Sequence, residues 1–338
     1  MPRSVARMAV RTALAALAAA GLVAVGNITP ATAQITSFCS GIAGPVTVPG
    51  DLIVRANDFC VLEGTVVNGN TTVRAGASLI TTEATFHGRV TAQSDAYVEL
   101  TASTVNDRVV LRDAFGLLAV DSTLNENVAV NVVDPAAPPG AVLLINTTVQ
   151  GNVNASVGAV WIGDSRINGR VTGNGVDFVD LVNTVLGSNL SVTGAAEGSV
   201  ICDSEIYGTA AYVDNSGPVQ LGGDSLIAGC LGANYWHGSV SIDGTSGDVI
   251  VTDNIIRLDL SGDGNDPQPV GVGNRVRGET SGQFADLAAP ASTAKAPSLS
   301  PNRSAQTAGD RGATLQKRLE LRGKAARIVA DMMGSAGL

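Results

Sequence analysis

The stretches Val66-Val67-Asn68-Gly69-Asn70, Phe86-His87-Gly88-Arg89-Val90, Val149-Gln150-Gly151-Asn152-Val153 and Ile167-Asn168-Gly169-Arg170-Val171 repeat one pattern. An apolar anchor is followed by a polar residue, a glycine and a second polar residue. The anchor recurs at Val67, Phe86, Val105, Leu124, Val149, Ile167, Leu186, Ile206 and Ile227, with gaps of 19, 19, 19, 25, 18, 19, 20 and 21. A near-constant period of this size marks a solenoid, in which each coil buries its apolar face only against its neighbours. The one long gap holds Asp134-Pro135-Ala136-Ala137-Pro138-Pro139-Gly140, a loop inserted into a regular coil.

Four places after the anchor stand Val90, Val109, Val128, Val153, Val171, Leu190 and Leu231, with second apolar residues two further on at Val73, Leu111, Val130 and Val192. This period of two reads as short strands with one face inward. The glycine two places after the anchor is expected at φ > 0, although Asp107, Glu126 and Ser188 replace it in three coils. Three places after the anchor, Arg89, Arg108 and Arg170 alternate with Asn70, Asn127, Asn152 and Asn189, as a solvated face or ladder.

Two columns precede the anchor. Three places before it come Glu83, Asp121, Asn146, Asp164, Asn183, Asp203 and Asp224, and two places before it Ser103, Ser122, Thr147, Ser165, Thr184, Ser204 and Ser225. Stacked coils place equivalents ~4.8 Å apart, where an unbroken row of aspartates would repel itself. The expectation is that the Asp/Asn side chains accept turn N–H bonds and the hydroxyls form an inward hydrogen-bonded stack. The competing reading is a carboxylate row for Ca²⁺ or a polymer. An aromatic content of 4% and 40 glycines suit a thin core of Val, Ile, Leu and Ala with tight corners. The predicted fold is all-β, a single-stranded parallel β-helix of about nineteen residues per coil with a C-terminal linker and a short helix.

Arg3, Arg7 and Arg11 precede an apolar run at 12–25, and Ala31-Thr32-Ala33 follows, so residues 1–33 read as a signal peptide. Residues 34–65 read as an N-terminal cap with the first coil, 66–282 as the β-helix repeats, 283–313 as a disordered linker rich in Ala, Ser, Thr and Pro, and 314–334 as an amphipathic basic helix. In that helix Leu315, Leu319, Ala326, Val329 and Met333 recur near one face, with Lys317, Arg318, Arg322, Lys324 and Arg327 around it. It is expected to dock on the acidic column, on an anionic surface or on a copy of itself, or to remain weakly ordered.

Loss of the leader leaves 18 basic residues against 30 acidic ones, which argues against a nucleic-acid partner. No apolar run reaches the ~20 residues of a spanning helix. The expected location is extracellular, at or near the cell surface. The cysteines Cys39, Cys60, Cys202 and Cys230 permit three pairings; Cys39 with Cys60 and Cys202 with Cys230 are expected, because each would tie a segment to roughly the next coil.

The Val-x-Gly-Asn-Val and Asp-Ser-x-Ile-x-Gly coils, over residues 46–278 or about two thirds of the chain, resemble the secreted right-handed parallel β-helix proteins of the pectin-lyase-like group, especially those of high-GC bacteria. The resemblance implies a right-handed coil, and enzymes of that group cleave acidic polysaccharides with clustered aspartates or with Ca²⁺ and a basic residue. None of their catalytic motifs is matched. Asp203 and Asp224 come nearest to a hydrolytic pair, yet they belong to the repeated column.

The irregular places are better candidates. Tyr207, Tyr212, Tyr235 and Trp236 make the densest aromatic region and would bind sugar rings, the competing reading being core filling. His87 and His237 read as lone exposed histidines, and Trp161 as an isolated surface or corner ring. Asp259, Asp263, Asn265 and Asp266 lie within eight residues and suit Ca²⁺ through oxygen, without the EF-hand pattern; the competing reading is a polar turn. No other cofactor is expected. The functional expectation is a secreted, non-catalytic scaffold or binding solenoid with polysaccharide as ligand, the alternative being a polysaccharide lyase or glycoside hydrolase on the same fold.

Overall fold

A computed structural model of the chain describes residues 35–225, 228–287 and 308–338. The leader at 1–33, the anchor Ile227 and most of the linker lie outside the described residues.

The repeats fold as a parallel β-solenoid. Each coil contributes three short strands, and like strands stack into three sheets of twelve, eleven and twelve strands. Sheet A begins at Thr36–Cys39, sheet B at Gly41–Ala43 and sheet C at Thr47–Val48. The anchors are the inward residues of sheet C, where Val67 pairs with Phe86, Phe86 with Val105, and Leu186 with Ile206. The apolar residues four places on, such as Val90 and Val109, open the strands of sheet A. Together they fill one continuous core.

Sheet B is different in kind. Its strands Ser78–Thr82, Gly116–Val120 and Ala141–Ile145 are buried on both faces along most of their length. Such strands are written as continuous apolar runs, not as alternation.

The corners explain the columns. Between sheets B and C the chain turns through a left-handed residue: Glu83, Asp121, Asn146, Asp164, Asn183 and Asp203 all have φ between 46° and 55°. Asp and Asn are the side chains that tolerate this conformation best after glycine. Within the column, Asn146 donates to Asp121 and Asn183 to Asp164, each at 2.6 Å, so each asparagine gives the carboxylate of the preceding coil a donor in place of a like charge. The glycines after the anchor are a correction to the sequence reading. Gly69, Gly88, Gly151 and Gly169 do not have positive φ; a Cβ there would strike the backbone of the preceding coil. At these four coils close approach, not φ, favours glycine.

The hydroxyl column points inward as expected. Ser103, Ser122, Thr147, Ser165, Thr184 and Ser204 are buried. Each donates to the carbonyl two residues back and most accept an N–H from the coil before, as Ser122 Oγ does from Ser103 N at 3.1 Å. The column continues as buried asparagines, Asn234 accepting from Ser204 N at 2.9 Å and Asn254 from Trp236 Nε1 at 2.9 Å.

The register beyond Ile206 also departs from the sequence reading. Ile206 pairs with Trp236. Residues 223–233 are an insertion in which Asp224 bridges antiparallel to Gly229, and Leu231 is 99% exposed. Asp224 and Ser225 are therefore outside the columns. An insertion spaced 21 residues from the last anchor imitates one more coil.

Both expected disulfides form, Cys39 with Cys60 from the first coil to the second and Cys202 with Cys230 across the insertion. Phe284 is buried against the core with Leu287 packed beside it, beyond the last strand of sheet A.

A helix, α1, spans Ala308–Met333 and so begins six residues before the sequence reading places it. It lies on the outer face of sheet B. Leu315, Leu319, Ala326 and Ala330 pack on Val61, Ile80, Leu118, Leu143 and Phe178, all buried. Its basic residues meet acids of sheet B and its flank, not the left-handed column: Arg311 with Asp180 at 2.7 Å, Arg327 with Glu99 at 3.2 Å, Arg322 with Asp95 at 3.3 Å. Trp161 is no isolated ring, because its indole packs against Gly312 of the helix and Gly163 of its own strand. After the helix, Ile42 N donates to Gly334 O and Ala336 N to Ile42 O, each at 2.8 Å, which adds a short parallel bridge to the first strand of sheet B.

Candidate functional site

On sheet C the residue before each anchor and the residue after it both point outward. At the coils of Ile206 and Trp236 these positions hold Glu205, Tyr207, Tyr235 and His237, and strand pairing sets Glu205 beside Tyr235. Glu205, Tyr235 and His237 border a cleft of about 550 Å³, lined also by Asn183, Asp203 and Ala233, and Tyr207 stands just outside that lining. One wall is the insertion, whose Leu231 and Gly232 N–H groups are held by the Asp203 carboxylate. The Cys202–Cys230 disulfide anchors that wall to sheet B.

His237 is the hub. Its Nε2 lies 2.9 Å from Glu205 Oε1, and its Nδ1 lies 3.2 Å from an Arg257 guanidinium nitrogen. Arginine only donates, so Nδ1 accepts and Nε2–H donates to Glu205. The ring of Tyr207 stacks on the imidazole with centroids 4.3 Å apart and planes 9° from parallel, and Tyr235 tilts against it at 4.8 Å. The hydrogen bond from His237 holds the Glu205 carboxyl below its usual range, with smaller help from Tyr207 and Arg166. A separate hydrogen bond between Tyr207 and Glu205 pushes the Tyr207 phenol up. The result is a fixed platform of one exposed ring, a second half-buried ring, an ionised carboxylate and a guanidinium.

Of the residues singled out from sequence, the fold places Tyr235 and Asp203 in the lining of this cleft and Tyr207 beside it, stacked on His237. Tyr207 is 49% exposed and offers its outer edge and face to solvent. Tyr212 and Trp236 are fully buried on the inward faces of sheets A and C, so their rings fill the core and do not reach a ligand. Asp224 sits in the insertion away from the column and makes no pair with Asp203. The sequence reading missed Glu205 and Arg257 and treated His237 as solitary. The signal existed in the anchor spacing, but only the true register, Ile206 to Trp236, makes Tyr207 and His237 neighbours.

The Ca²⁺ candidates are dispersed over structural tasks. Asn265 is buried, its Oδ1 accepting from Thr245 N at 3.0 Å and its Nδ2 donating to Ile242 O at 2.8 Å. Asp259 accepts from Glu279 N, and the Asp263 N–H is itself bound to Asp243. Among the described residues no group of three or more His, Cys, Asp or Glu side chains is placed to hold a metal ion. Comparison with known protein families, with curated proteins and with solved structures finds no match.

Proposed function

We propose that the protein is an exported, non-catalytic solenoid that binds polysaccharide at or near the cell surface, with the Tyr207–Tyr235 cleft as its ligand site. The observation that carries this reading is the exposed Tyr207 ring fixed flat by His237 beside a walled cleft. Aromatic faces bury the apolar face of a sugar ring well, and the neighbouring carboxylate, guanidinium and carboxamide groups match hydroxyls. Binding is favoured over turnover because both imidazole nitrogens are engaged within the cluster and Glu205 is held ionised. A general acid needs a carboxyl raised toward the working pH. Export is supported by the leader-like segment at 1–33 and by two disulfides, which persist in oxidising compartments. No helix of the described residues is long and apolar enough to cross a membrane.

The test is incubation of the protein with soluble and insoluble polysaccharides, with and without Ca²⁺, following depletion of protein and release of new sugar ends. Depletion without new ends is expected, and Tyr207→Ala should weaken binding by about tenfold, the scale of one lost aromatic contact. New ends would overturn the non-catalytic reading and direct attention to Asp203 and Glu205.

A further inference from the structure

The cleft is one end of a longer surface. The outward positions before the anchors run in register over eight consecutive strands of sheet C, from Thr85, Thr104, Thr123 and Thr148 through Arg166 and Val185 to Glu205 and Tyr235. At the usual strand separation this row is about 34 Å long. The four threonines are half-exposed, and their hydroxyls make no hydrogen bond to another described residue.

A second row flanks them one place past each anchor: His87, Asn106, Asn125, Gln150 and Asn168, which leads on to Tyr207 and His237. These amides are tied to one another, Asn125 Nδ2 to Asn106 Oδ1 at 2.7 Å, Asn106 to His87 Nδ1 at 2.9 Å, and Asn168 to Gln150. Mutual bonding fixes the side chains along the row before any ligand arrives, which lowers the entropy lost on binding. Over the four threonine coils neither row carries an acidic or basic residue apart from His87, in a chain of net charge −9. Over these four coils a charged polymer finds no counter-ion in either row, whereas a hydroxylated neutral one meets a donor or acceptor at each.

We infer that this face is a continuous track for a long, uncharged, hydroxyl-rich polymer lying along the stack of coils, held at one end by the Tyr207–Tyr235 cleft. The inference rests on the cleft's being a sugar site and adds to it the charge, length and direction of the ligand. Repeated weak contacts on one rigid face multiply, so affinity must grow with chain length past the size that fills the cleft.

The experiment is calorimetric titration with neutral β-glucan oligosaccharides of increasing length, against a carboxylated polymer of similar size. Affinity should rise by about tenfold or more from the shortest binding oligomer to the longest. The double variant Thr104→Glu/Thr123→Glu should abolish that gain and leave the short oligomer untouched. Asn106→Ala/Asn125→Ala, which introduces no charge, should reduce the gain in the same sense. Affinity that stops rising once the cleft is filled, or a preference for the carboxylated polymer, would overturn the track while leaving the cleft as a sugar site. Failure of every oligosaccharide to bind, with Tyr207→Ala silent, would remove both.

Discussion

The outer faces of sheets B and C are built on the same coils with the same register, and they have opposite fates. On sheet B the outward residues are Val61, Ile80, Leu118 and Leu143, and a helix covers them. On sheet C they are Thr85, Thr104, Thr123 and Thr148, and they stay open to solvent. A solenoid backbone satisfies its own hydrogen bonds on every face. The side chain chosen at one outward position per coil therefore decides whether a face becomes interior or binding surface.

The covered face is where substitutions should cost most. Asp180 is the outward residue of its sheet-B strand and is fully buried under the helix beside Arg311. Arg311→Ala would leave that carboxylate without its counter-ion in a dry site, and a loss of about 3 kcal/mol is expected in denaturant unfolding. Loss of amide protection should be confined to α1 and the outer face of sheet B. An unchanged midpoint would mean that the ion pair contributes nothing to docking.

Leu319→Ala should cost about 2–3 kcal/mol, because the leucine is fully enclosed between the helix and the sheet. The equivalent truncation on the open face, Thr123→Ala, should stay within about 0.5 kcal/mol by the same measurement. Equal effects would mean that the two faces do not differ in burial energetics.

The two faces should also differ with pH. Desolvation pushes the Asp180 carboxyl up to about 7 from an ordinary 3.8, against the opposing pull of Arg311. An undocked helix would return Asp180 to solvent and to its ordinary range, so the docked state holds the proton more tightly. This contribution to docking is complete below about pH 4 and is lost as the pH rises through about 7. Hydrogen exchange of α1, corrected for intrinsic rates, should show weakening protection across that window, while the sheet-C coils 85–168 stay level. Asp180→Asn should flatten the response.

The coil period, the sheet-A and sheet-C strands and the inward hydroxyl stack could be read from sequence, because alternation and spacing carry them directly. Sheet B could not be separated out, since Ala141–Ile145 is apolar at every position and has no period to detect. The seat of α1 was hidden for the same reason: the complement of an amphipathic helix lay in an unrecognised strand. At the cleft, the density of tyrosines was visible, but Glu205, His237 and Arg257 converge only after the insertion at 223–233 is removed from the count. The role of glycine after the anchor was misassigned because a missing Cβ serves close approach as well as unusual φ, and composition does not tell these apart.

The bridge between Ile42 and the residues after α1 has a consequence in time. The strand it completes lies nearly three hundred positions upstream of Ser335. Until the segment after α1 docks, the first coil keeps a bare strand edge at Ile42. Contacts of such sequence separation form late and slowly. The coil made first is thus the one finished last, and a chain cut short before the helix would leave that edge of sheet B uncovered.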